Sequence, residues 1–185
     1  MVTPMLRPDL FGGLATHAGD ALFELSYLPD FREAARALRD EHGDSFERFW
    51  DDFRSRPAMS RRSDHVLVNT WAMAACYSAG DDGSVDLPFD VATGMLRDDV
   101  WQRWLAWDPV RMAPRHADAL RGLRAIYIDA GSRDEFFLDL GAEAFRRELE
   151  KLGVTDVFFE LFPAGHGQIE YRYPGATRYL ADRLQ

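Results

Sequence analysis

The hydrophobic period changes three times between Arg124 and Leu184, and this alternation constrains the fold more than any other feature of the chain. Arg124-Ala-Ile-Tyr-Ile128 is a short apolar run of strand-favouring residues that breaks at Asp129-Ala-Gly131. From Leu138 the apolar residues recur at helical spacing through Ala142, Phe145, Leu149 and Leu152. Charges fill the opposite face, and Gly153 stands where a helix stops. Val157-Phe-Phe-Glu-Leu-Phe162 returns to strand character and breaks at Pro163-Ala-Gly-His-Gly167, after which Ala176 to Leu184 reads as a closing amphipathic helix. Strand, helix, strand, helix predicts a parallel sheet. A right-handed crossover then brings the carboxyl ends of both strands to one edge, where open α/β sheets hold their sites.

The remainder is read around that core. Met1 to Leu10 is expected to be the last turns of a helix leading to a third strand candidate, Phe11-Gly-Gly-Leu-Ala-Thr-His17. From about residue 30 to 118 the period is mainly helical, through Phe31, Ala34, Ala35 and Leu38, then Phe46, Phe49, Trp50 and Phe53, then Leu96, Val100, Trp104 and Trp107. This segment is expected to be a helical insertion in a single domain spanning residues 1–185. Three strands make a small sheet for an α/β domain. The sheet is therefore expected to be incomplete, with an open edge that a second copy of the chain would be able to cover.

Charge and composition exclude several classes of function. A formal net charge of -9 disfavours nucleic acid and anionic membrane as partners, because both require a basic surface. The single cysteine, Cys76, excludes an internal disulfide and any multi-cysteine metal site, and a reducing compartment fits; separately, no metal or cofactor is expected. No apolar run approaches the roughly 20 residues needed to span a bilayer, and Met1 to Leu10 lacks the order of a signal peptide. The chain is expected to be cytoplasmic.

Two loops carry the chemistry. Gly131-Ser-Arg-Asp134 follows one strand and Pro163-Ala-Gly-His166-Gly follows the next, on the same sheet edge. Neighbouring strands lie about 4.8 Å apart, so their loops are able to bring a carboxylate to an imidazole. Such an acid fixes the tautomer of the histidine, which then acts as general base toward a nucleophile. The bland alternative is an aspartate that caps the next helix beside an exposed loop histidine.

On these residues the run from about Leu123 to Leu184 resembles the C-terminal section of the esterase D-like family of α/β-hydrolases, where a Gly-x-x-Asp loop supplies the catalytic acid and a Gly-His loop the base. The resemblance extends more loosely to Met1–Asp20. Asn69 to Pro109, with Ala75-Cys-Tyr-Ser78, Leu87-Pro-Phe-Asp90 and Thr93-Gly94, is similar to the helical cap of bacterial members. It implies a partial α/β-hydrolase fold, Asp134 as acid, His166 as base, and a small-molecule carboxylic ester as substrate. Asp129 is the competing acid, and is expected instead to be a structural carboxylate bonded to loop amides. His17 and Asp20, at the end of the first strand candidate, are expected to line a substrate pocket or to serve the loop structurally.

The departure from the family is equally informative, because the nucleophile elbow Gly-x-Ser-x-Gly is absent. The expectation is a C-terminal part of a serine esterase, with Met1 an internal methionine or the chain a genuine fragment. On its own it should show little serine-type hydrolysis. The alternatives are a non-catalytic binding module built on the same fold, and a self-sufficient hydrolase using Ser78 of Cys76-Tyr-Ser78-Ala-Gly80. Trp71 to Cys76 reads as helix, however, the wrong context for an elbow, and Cys76 is expected to pack as a small hydrophobe. Asp64-His65 and His116 lack the spaced partners of a metal site and are expected at the surface.

Overall fold

The computed structural model describes all 185 residues. In chain order, α1 (Val2–Leu6) leads into β1 (Gly13–His17), followed by α2 (Phe23–Ser26), α3 (Leu28–His42), α4 (Phe46–Ser55), α5 (Asp64–Tyr77) and α6 (Asp98–Leu105). The short α7 (Pro109–Met112), a 3-10 turn (Ala113–His116) and α8 (Ala117–Arg121) precede β2 (Ala125–Gly131) and α9 (Leu138–Lys151). The chain closes with β3 (Phe158–Phe162), a second 3-10 turn (Glu170–Arg172) and α10 (Tyr173–Leu184). These elements form two compact units, Met1–Ser26 with Trp107–Gln185, and Tyr27–Ala106.

The first unit is α/β. Its strands form one sheet in the order β1-β2-β3 with both pairings parallel, as the alternating period predicts. All seven residues of β2 are buried, which is why this strand reads as a continuous apolar run. Ile126, Ile128 and Ala130 face a core completed by Met112, Ala113, Leu120 and the α9 stripe of Leu138, Ala142, Phe145 and Leu149. Each fully buried Leu, Ile or Phe there contributes about 1.5–3 kcal/mol. Tyr127 and Asp129 point to the other face, where α10 lies and Tyr179 meets the Tyr127 ring edge-on. The glycine in β1 has a packing reason: a Cβ at Gly13 would lie 2.9 Å from the Ala125 carbonyl oxygen.

Helix α9 ends at the residue the sequence marks. Gly153 has φ +79°, its N–H donates to Glu150 and that of Val154 donates to Leu149, the paired bonds of a Schellman stop. Helix α10 begins at Tyr173, earlier than the apolar stripe from Ala176, because Pro174 is tolerated in a first turn. The insertion expected over residues 30–118 also ends sooner. Residues from Trp107 onward belong to the sheet unit, where Met112, Ala113 and Leu120 are core residues that their helical period could not assign to one unit or the other.

The second unit is helical and has its own core. Phe31 meets Trp101 and Trp104 edge-on at 5.6 Å and 5.4 Å, and Phe31, Leu38, Phe49, Leu67 and Trp104 are buried. Ser45 caps α4 by accepting the Arg48 N–H at 3.2 Å.

Candidate active site

Asp134 and His166 lie in the loops that leave the carboxyl ends of β2 and β3, and these loops are laced together before either side chain is considered. The Ser132 N–H donates to Phe162 O at 2.8 Å and the Arg133 N–H to Ala164 O at 3.0 Å, while the Arg133 guanidinium reaches Pro163 O at 3.1 Å. A methyl group at Gly131 would collide with the carbonyl oxygens of Gly165 and Ala164, so this approach requires glycine. Glu135 then accepts the backbone N–H of His166 at 2.9 Å.

Within this frame His166 Nδ1 lies 3.0 Å from Asp134 Oδ2. The Asp134 side chain is fully buried and that of His166 is 40% exposed. The second carboxylate oxygen accepts the Phe136 N–H at 2.9 Å. Asp134 thus holds the turn before α9 with one oxygen and meets the imidazole with the other; it does not cap the helix, whose N-cap position, Phe137, receives no side-chain bond. An ionised carboxylate only accepts, so this contact suits the neutral tautomer with its proton on Nδ1 and a lone pair on Nε2. The Phe136 ring stands edge-on to the imidazole at 5.1 Å.

A second pair lies on the α10 face of the same sheet. His17 Nδ1 is 2.6 Å from Asp129 Oδ1, and the other Asp129 oxygen accepts from Arg172 Nε at 2.9 Å. Asp129 is thus not a carboxylate bonded to loop amides: its side-chain partners are an imidazole and a guanidinium. The cause is register, since His17, Asp129 and Glu160 are directly paired across β1, β2 and β3 and share one face. Arg172 also bonds Glu160 and comes within 3.4 Å of the Tyr127 hydroxyl. Burial works against the charge of Arg172, but Glu160 and Asp129 more than offset it and hold the guanidinium pKa above its ordinary value. Burial, with the Asp129 charge beside it, pushes the Tyr127 phenol up to about 12, so it stays protonated.

Of the two residues expected to line a pocket, His17 is half-buried, with its ring 4.8 Å from that of Tyr173 and 5.5 Å from that of Tyr127. Asp20 is exposed in the loop after β1, and the carboxylate His17 engages is Asp129. Arg172 had no sequence signal of its own. The clue was Asp129 inside an apolar strand, since a buried carboxylate demands a cation or several donors.

Backbone strain concentrates at this edge. Five non-glycine residues have positive φ, and four of them, Ala18, Leu22, Phe137 and Gln168, lie in the segments that follow β1, β2 and β3. Such conformations cost about 1–3 kcal/mol each and persist where the surroundings impose them. Asp108 imposes one, accepting the N–H groups of Leu22, Phe23 and Val110 at 3.1, 3.0 and 2.9 Å. Burial raises its carboxyl above the ordinary range despite those donors.

The remaining candidates lie elsewhere. Ser78 is fully buried, and its hydroxyl lies 2.6 Å from Asp86 O and accepts the Trp104 indole N–H at 2.8 Å. That hydroxyl is committed to holding the turn after α5. Cys76, expected to pack, is exposed because it falls on the outer face of α5. Asp64, expected at the surface with His65, is instead buried and bonded to Arg56, whereas His65 is exposed. His116 is half-buried at the end of the first 3-10 turn, and no three His, Cys, Asp or Glu side chains converge as a metal site requires.

No helix is long and apolar enough to cross a membrane. No protein-family model matches the chain, and no curated protein sequence matches it significantly.

Proposed function

We propose that this chain contributes the acid–base half of an acyl-transfer site in an α/β-hydrolase-type arrangement, acting on a small carboxylic ester. The observation that carries this reading is the contact between His166 Nδ1 and the buried Asp134 carboxylate at 3.0 Å, on loops at the carboxyl edge of a parallel sheet. In the reaction, Nε2 of His166 takes the proton of a serine hydroxyl as that oxygen attacks the ester carbonyl, and Asp134 stabilises the imidazolium so formed. Nε2 then returns the proton to the leaving alcohol, and the cycle repeats with water in the deacylation half. Gly-x-Ser-x-Gly is absent from the sequence and the Ser78 hydroxyl is occupied, so the nucleophile is assigned to a residue outside these 185. The four strained residues at the same edge support a functional site there.

The test is the tautomer of His166, read from the imidazole nitrogen resonances at alkaline pH. The expected result is a protonated Nδ1 and a bare Nε2, with this preference lost in Asp134→Asn. Nε2 protonation, or a tautomer indifferent to Asp134, would overturn the proposal. A fluorophosphonate probe should label no serine of the chain, and labelling of Ser78 would move the nucleophile there. A non-catalytic module is the second reading, favoured by one observation: no hydroxyl or thiol is bonded to His166. It predicts that the tautomer is retained but that no serine-bearing partner or segment restores ester turnover.

A further inference from the structure

The sheet face covered by α10 opens beside β3 into a cleft of about 440 Å3. Its inner wall is aromatic. Tyr127 and Phe158 stack with centroids 4.3 Å apart and planes 7° from parallel, and Tyr179 of α10 leans against them at 5.6 and 5.8 Å. Its rim is charged. Arg172 is bonded both to Glu160 and to the buried Asp129 behind the lining, which leaves Arg178, Asp182 and Arg183. Arg178 is exposed. The Arg183 guanidinium lies 3.8 Å above the centroid of Tyr179, so one of its faces is covered by the ring while its N–H edge stays available. On α10, the Arg178 and Arg183 guanidinium groups stand with the single carboxylate of Asp182. At the mouth, a Cβ added to Gly175 would meet nothing within 4 Å.

We infer that this cleft binds a planar aromatic monoanion of the aryl carboxylate class. Its ring would lie along the wall formed by Tyr127, Phe158 and Tyr179, with its carboxylate turned to Arg178 and Arg183. The volume is that of a small-molecule site, the wall is aromatic, and the two exposed guanidinium groups at its rim are of the kind that recognise a carboxylate through paired N–H donors. The cleft's lining contains neither Asp134 nor His166, so the inference does not rest on the acyl-transfer reading.

The experiment is a calorimetric titration of the full chain with 2-naphthoate, alongside 2-naphthylmethanol and acetate. Naphthoate is expected to bind with Kd of about 1 mM or tighter, as its size allows. The neutral alcohol should bind at least about threefold more weakly, and acetate not measurably, because one exposed ion pair adds a few-fold and the ring the rest. Arg178→Gln combined with Arg183→Gln should weaken naphthoate about three- to tenfold. Gly175→Trp, which places an indole in the cleft, should abolish binding, while His166→Gln should leave it unchanged. Equal affinity for acid and alcohol, full binding by Gly175→Trp, or no binding by the unaltered chain would overturn the inference. Should Gly175→Trp fail to fold by circular dichroism, the exposed arginine pair decides the matter alone.

Discussion

Asp64 and Asp129 are carboxylates with no side-chain exposure, and each is tolerable because an arginine is bonded to it. Asp64 accepts two bonds from Arg56, at 2.6 and 2.7 Å, and the N–H groups of Ser60 and Arg61 at 2.8 and 2.9 Å. Together these hold its carboxyl well below the usual carboxylate range, the Arg56 bonds counting most. A depressed folded pKa means that the stabilisation is fully present above the unfolded value of about 4 and fades as pH falls below it. Arg56→Met should therefore cost about 3–5 kcal/mol at pH 7, since it leaves a buried charge unpaired. Urea denaturation should show the gap between variant and unaltered chain narrowing by pH 3, where protonation removes that charge. A gap independent of pH would contradict this account. Sequence proximity misplaces Asp64: its neighbour His65 is exposed, and the partner that explains its burial stands eight residues earlier, on the far side of a turn.

At the scale of elements, the geometry around His166 depends on two loops held to each other, and Gly131 is the position where that closeness is most demanding. Gly131→Ala should lower stability by about 1–3 kcal/mol, the usual cost of overpacking, and should also remove the Asp134-dependent tautomer of His166. Gly167→Ala is the control, because a Cβ there meets nothing within 4 Å and both measurements should stay unchanged. Thermal melts and imidazole resonances read the two effects separately. Loss of stability with the tautomer intact would show that the loops do not position the pair. The elements themselves were legible because β2, α9 and β3 differ in hydrophobic period, and Asp134 and His166 were legible because each follows a strand break. The network of His17, Asp129, Glu160 and Arg172 was not, since it exists only when three strands take one particular register and a turn between Ile169 and Tyr173 closes over them. The end of the helical insertion was equally hidden, because a helical period says which residues are buried but not in which core.

For the molecule as a whole, the division at Ser26 and Ala106 carries its own prediction. The segment Tyr27–Ala106 buries Phe31, Leu38, Phe49, Leu67 and Trp104 among its own helices and contains both partners of the Asp64–Arg56 pair. Expressed alone, it should retain helical circular dichroism and unfold cooperatively in urea. A non-cooperative, unstructured fragment would show that its core needs the sheet unit.

The polar row across the other unit has a consequence for assembly. Were β2 to slide by one position against its neighbours, every side chain would exchange faces. Asp129 would then be driven, without its guanidinium, among Phe145 and Leu149, and Ile128 would be left facing Arg172. Misalignment is thus penalised electrostatically as well as sterically, and a sheet of only three strands is confined to a single pairing.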